Sequence, residues 1–109
     1  MSIPHAQPGE VVNVKPLGPA LPTTPTRTLL KDDAVELIRL VIPSGKELPT
    51  HQAKGAIVVH CLEGRIHFTA RGKSQTLEAG QLIFLPAQEP HSVKGITDAS
   101  LLLTILLQK

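Results

Sequence analysis

Hydrophobic and polar positions alternate most clearly in "RIHFTA", residues 65–70, where Ile66 and Phe68 fall on one side and Arg65, His67 and Thr69 on the other. That period of two is the mark of a strand with one buried face. "AIVVHCL", residues 56–62, is apolar at nearly every position and predicts a strand buried on both faces. "TRTLLK" (26–31), "AVELIRLVI" (34–42), "SQTLE" (74–78), "QLIFLP" (81–86) and "ASLLLTILL" (99–107) read as further strands. Turn chemistry separates them: Asp32-Asp33, Pro43-Ser44-Gly45, Glu63-Gly64, Arg71-Gly72-Lys73 and Ala79-Gly80. "AQEPH" (87–91) reads as a loop that returns His91 to the sheet. No segment sustains a 3.6-residue apolar period with caps at both ends. The pattern predicts an all-β chain of some eight to ten short strands, spaced as in sandwiches and barrels.

The first 25 residues have a different texture. Six of the ten prolines lie there: Pro4, Pro8, Pro16, Pro19, Pro22 and Pro25. Proline fixes φ and removes a backbone donor, so residues 1–25 are expected to form an extended arm. Such an arm is too proline-rich for helix and holds at most a short strand such as "EVVNV" (10–14). Residues 26–109 are then a single barrel domain.

Composition narrows the function classes. The 109 residues suit one small domain with a thin stability margin. Aromatics are only 2%, namely Phe68 and Phe84, so the core must come from Leu, Ile, Val and Ala. The apolar strands "AIVVHCL" and "LLLTILL" offer more apolar surface than a small barrel interior needs, and a homodimer is expected. The arm could lie across a partner's sheet edge, which would also protect that edge. Net charge is +2, the basic residues are scattered, and no Trp or Tyr offers a stacking platform, so nucleic acid is not expected as a partner. "LLLTILL" is far too short to span a bilayer as a helix, and no membrane partner is expected. Cys61 is the single cysteine, which excludes an intramolecular disulfide. "MSIPHAQPGE" lacks a basic stretch followed by an apolar one, and a cytoplasmic location is the expectation.

Two spaced motifs carry a family resemblance. Gly45, His51, Ala53, Ile57 and Gly64 keep the spacing G-x5-H-x-H-x3-E-x6-G, and Gly80, Pro86, Gln88, His91 and Gly95 keep the spacing G-x5-P-x-G-x2-H-x3-N. In both spacing and turns the chain resembles the cupin superfamily. The resemblance implies a double-stranded β-helix, a jelly-roll barrel of two antiparallel sheets. It also implies a metal site built from two His and one Glu of the first motif and one His of the second. His51 and His91 stand at two of those positions. Ala53 replaces the second His and Ile57 the Glu, and neither can donate a lone pair; Gln88 and Gly95 replace a Gly and an Asn.

Two neutral imidazoles hold a divalent ion less tightly and less selectively than three or four ligands do. A metal on His51 and His91, whether zinc, nickel or iron, is therefore set beside two other readings. The pair could bind a small organic ligand without metal, or serve directly as acid and base near neutral pH. Gln52 and Gln88 flank the pair and complete the expected pocket with His51 and His91; Lys54 also flanks it, with solvent exposure the plainer reading. The remaining candidates fall away on parity. If position 57 faces inward, so do Val59 and Cys61, and His60 faces out with Val58 and Leu62. Cys61 then reads as a small core hydrophobe, and His67 as solvent-facing. Arg39 could face either way. The function expected is a small-molecule-binding barrel, with a metal-dependent dioxygenase or isomerase of the cupin kind as the alternative.

Overall fold

Arg65–Ala70 and Lys73–Glu78 form a tight antiparallel hairpin in the computed structural model, which describes residues 5–107. The first four positions of the expected arm, with Pro4, and the last two of the expected barrel lie outside the described residues. The hairpin turns on Arg71 and Gly72, both at positive φ, the geometry that lets two strands keep their right-handed twist across a two-residue loop. Nine strands are present among the described residues: β1 (Arg27–Lys31), β2 (Val35–Ile42), β3 (Glu47–His51), β4 (Ile57–Glu63), β5 (Arg65–Ala70), β6 (Lys73–Glu78), β7 (Leu82–Leu85), β8 (His91–Gly95) and β9 (Ala99–Leu106). They make a five-stranded sheet in the order β1-β2-β9-β4-β7 and a four-stranded sheet in the order β3-β8-β5-β6. All pairings are antiparallel. This is the all-β jelly roll that the family resemblance implied.

The core lies between the sheets and is built almost entirely from aliphatic side chains. Ile42, Ile57, Val59, Cys61, Ile66, Leu77, Leu85, Val93, Ala99 and Leu101 are buried there, with Phe68 as the aromatic member. Phe84, the other aromatic residue, stays 58% exposed.

Three expectations need correction. "AIVVHCL" is not buried on both faces: Ile57, Val59 and Cys61 are buried, whereas Val58, His60 and Leu62 are only half-buried on the outer side. "EVVNV" forms no strand. Residues Gly18–Thr23, at Pro19 and Pro22, close a short 3-10 turn instead. Pro19 is tolerated because the first turn of a helix needs no donor from it; Pro22 lies inside the short segment, which ends at Thr23.

The N-terminal segment is tied to the outer face of the five-stranded sheet by one polar knot. The Glu63 carboxylate accepts hydrogen bonds from the backbone N–H groups of Leu17 (2.8 Å) and Gly18 (3.1 Å), and from the Ser100 hydroxyl. Arg39 donates to the Lys15 carbonyl (2.6 Å), to Glu63 (3.2 Å) and to Ser100 (3.3 Å). Arg39 thus points outward but is 3% exposed, because its own chain covers it. Burial would raise the Glu63 carboxyl pKa. The bonds from Leu17, Ser100 and Gly18 and the Arg39 charge outweigh burial and hold it below the usual carboxylate range.

Candidate functional site

β3 and β8 are neighbours, and their register sets His51 opposite His91 at one end of the four-stranded sheet. The pairing is irregular between Leu48 and His51, so β3 does not carry a simple alternation up to the histidine. The ring centroids lie 4.3 Å apart, tilted by 58°. His91 is buried and stacks on Phe68 at 5.7 Å, nearly parallel. His51 is exposed. The pair therefore sits at the mouth of the barrel, with one ring in the wall and the other at the rim.

Each ring is oriented by the chain just before it. His51 Nδ1 lies 3.0 Å from the Pro49 carbonyl oxygen, and His91 Nδ1 lies 3.0 Å from the Glu89 carbonyl oxygen. A carbonyl only accepts, so Nδ1 carries the hydrogen in both contacts and the neutral ring keeps its lone pair on Nε2. Desolvation lowers the His91 pKa. The Glu89 carbonyl opposes that shift and the neighbouring His51 adds to it.

The loops at this end meet through Gln88, whose N–H donates to the Ala53 carbonyl at 2.8 Å. Gln88 is exposed, with φ at +64°, and Gln52 is exposed too. Gln52 follows His51 in the chain, and Gln88 stands three residues before His91. Lys54 is also exposed. The places where a third and a fourth ligand would stand are apolar: Ala53 packs against the core, and Ile57 is buried within it at 2% exposure. Among the described residues no group of three or more His, Cys, Asp or Glu side chains is placed to hold a metal ion. The complete two-motif metal shell does not fit this barrel.

The other candidates are distributed as their parity requires. Cys61 is wholly buried, and burial raises its thiol pKa. His60 shares the outer side with Val58 and Leu62, and His67 is exposed. The sequence reading overlooked two features. Phe68 forms the wall behind His91. Glu36 takes the inward register of β2 with Leu40 and Ile42, and pairs with Ile105 at the end of the barrel that also holds Ile57. Alternation along β2 carried that second signal. A third neighbour, Arg71, is paired with Glu89 at 2.7 Å beside the mouth.

A family model described as a cupin domain matches residues 38–106. The chain is a cupin. No curated protein gives a significant match. Among solved structures, a cupin superfamily protein from Desulfitobacterium hafniense is similar with a TM-score of 0.77 and 17% identity, over 94% of this chain and 100% of that one. A conserved protein of unknown function from Streptococcus pyogenes gives 0.76 and 20%, over 100% of this chain and 96% of that one. A predicted oxalate decarboxylase from Thermotoga maritima gives 0.69 and 26%, over 76% of this chain and 79% of that one. The first two likenesses concern the fold of this cupin alone. Among the described residues no helix is long and apolar enough to cross a membrane.

Proposed function

We propose that this cupin binds a small organic molecule at the barrel mouth through the Nε2 lone pairs of His51 and His91. The observation that carries the reading is the paired Nδ1–carbonyl contact, 3.0 Å in each ring, which leaves both Nε2 atoms as acceptors. The lowered His91 pKa keeps that ring neutral at neutral pH, so a ligand that donates hydrogen bonds, such as one bearing hydroxyl groups, suits the pair. Phe68, fully buried, backs the His91 ring from within the core, while the exposed Gln52 and Gln88 offer adaptable amides close in sequence to the pair.

The same tautomer supports a second reading. A metal-bound His usually donates its other ring N–H to a carbonyl or carboxylate. Two such rings could hold a zinc, nickel or iron(II) ion weakly, with water or the ligand in the remaining positions. A dioxygenase would need the two-His, one-carboxylate face, whose carboxylate position Ile57 holds; an isomerase of the cupin kind is the other enzymatic reading.

An NMR screen of a small-fragment library against isotope-labelled protein tests the first reading. Hits should perturb Ala53, Gln88 and His91 together and disappear in His51→Ala and His91→Ala variants. A screen whose hits survive both substitutions refutes it. Elemental analysis of protein purified without a metal-affinity tag, then loaded with zinc, nickel or iron(II), tests the second. Absence of any histidine-dependent metal sinks it.

A further inference from the structure

Between Ala6 and Lys15 the N-terminal segment is fastened to the five-stranded sheet at its two ends. The Ala6 N–H donates to the Leu29 carbonyl at 2.8 Å, where β1 slips register against β2. The Lys15 carbonyl accepts from Arg39 at 2.6 Å. In between, the hydrogen bonds of Gln7, Glu10 and Asn13 stay within the segment. The chain therefore bridges β1 there rather than pairing with it. A cavity of about 350 Å³ lies between segment and strand, with Glu10, Val12, Asn13, Arg27 and Leu29 in its lining. A second, of about 490 Å³, shares Ala6 and Glu10 with it and reaches Leu30 and Lys31. Both are of the size that holds a small molecule.

Two opposite charges line the first cavity without meeting. Register sets Arg27 directly opposite Arg39, so both side chains stand on the outer face of the sheet. Arg39 has Glu63 as its counter-ion. Arg27 has no carboxylate partner among the described residues, and its Nε is buried without an acceptor. A cation that has lost part of its water and stands beside a second cation gains more from an anion than an exposed one does. Glu10 is fixed by a turn: its carboxylate accepts the Gln7 N–H, and its own N–H donates to the Gln7 carbonyl at 3.0 Å. Glu10 and Arg27 form no ion pair with each other, so a gap separates the two charges.

We infer that this cleft binds a free α-amino acid, with the ligand carboxylate on Arg27 and its ammonium on Glu10. A plain anion would meet Glu10, and a plain cation would meet Arg27 with Arg39 beside it. A small zwitterion satisfies both ends at once, through charge-assisted hydrogen bonds. Ala6, Val12 and Leu29, each half-buried, offer its side chain an apolar wall. None of the lining residues belongs to the barrel mouth, so the site is separate from the one at His51 and His91.

Titration of isotope-labelled protein with glycine, alanine, leucine, lysine and glutamate, at constant pH and ionic strength, tests this in the amide spectrum. Two charged contacts at a cleft open to solvent imply a Kd on the order of 1 mM, within reach of a titration to about 20 mM. At least one of the five should give saturable shifts at Val12, Asn13, Thr28 and Leu29, with Ala53 and Gln88 at the mouth unmoved. Its N-acetylated form and its carboxamide form each lack one charge, and each should bind at least 5-fold more weakly. Arg27→Gln and Glu10→Gln should each weaken binding at least 5-fold and keep the wild-type circular dichroism; the two ligand derivatives test the same contacts without any variant. Absence of saturable shifts at these four amides with all five amino acids overturns the inference. So does binding that survives both substitutions, or shifts confined to the mouth. An N-acetylated form that binds as tightly as its parent also overturns it, and would leave a plain carboxylate site at Arg27.

Discussion

Removing the Glu63 carboxylate should strand the Arg39 charge beneath the N-terminal segment. The two groups lie 3.2 Å apart with side chains 13% and 4% exposed, so neither can recover full hydration when its partner is lost. Breaking a buried pair from one side costs about 3–5 kcal/mol. The partial exposure of Glu63 places Glu63→Ala at the lower end, near about 3 kcal/mol. For a domain of this size that corresponds to a fall in melting temperature of roughly 12 °C. The double variant Arg39→Met/Glu63→Leu removes both charges and refills the space. It still forfeits the bonds to Leu17, Gly18 and Ser100, but it leaves no buried charge. The two changes should therefore be strongly non-additive, with a coupling of about 2 kcal/mol or more in a double-mutant cycle. Thermal and urea unfolding followed by circular dichroism measure each corner of the cycle. Additivity within about 0.5 kcal/mol would refute the reasoning, since independent sites behave that way.

Two further outcomes follow from single positions. His91 has a lowered folded pKa, so the unfolded chain binds the proton more readily. Its contribution to stability should be complete above the unfolded value of about 6.5 and should be lost as pH falls through the lower folded value; unfolding free energies across that window should flatten in His91→Gln. Gly64 turns β4 into β5 at φ +79°, where an added Cβ would meet the Asp98 carbonyl oxygen and Ala99 at under 3 Å. Gly64→Ala should therefore cost more than about 2 kcal/mol, by backbone strain and displacement of β9, and a variant melting within a degree or two of wild type would show that the turn can relax.

How much of this was legible in the sequence depended on whether neighbours or distant elements decide each feature. Alternation in "RIHFTA" placed Ile66 and Phe68 inside because one face of β5 packs on the core and the other meets water. The family resemblance carried by the two motifs implied that His51 and His91 stand together, and the register of β3 and β8 sets them opposite each other. β3 escaped notice: "ELPTH" carries a proline and is mostly exposed, so neither propensity nor burial marks it, and its pairing to β8 makes it a strand. "AIVVHCL" misled for the opposite reason. Its outward residues are apolar although no part of this chain fully covers them, and an apolar run does not reveal whether its second face meets its own chain. Arg39 could not be oriented from β2 alone, since its partners Lys15, Glu63 and Ser100 come from three distant segments.

The contacts that hold the two imidazoles explain why the pair can outlast a complete metal shell. In a site organised by an ion, losing ligands would free the remaining rings to rotate. Here each ring is held by a carbonyl two residues earlier in its own strand or loop, Pro49 for His51 and Glu89 for His91, and His91 is backed in addition by Phe68. Neither constraint involves position 53 or 57. The presence of Ala and Ile there therefore removes donors without loosening the acceptors that stay. A mouth prearranged in this way loses little conformational entropy when something binds. It follows that the orientation of His91 should be the same with or without an added divalent ion, so its ring ¹³C and ¹⁵N shifts should report the Nδ1–H tautomer in ion-free protein. A mixed or Nε2–H tautomer in that spectrum would mean that the carbonyl contact does not orient the ring.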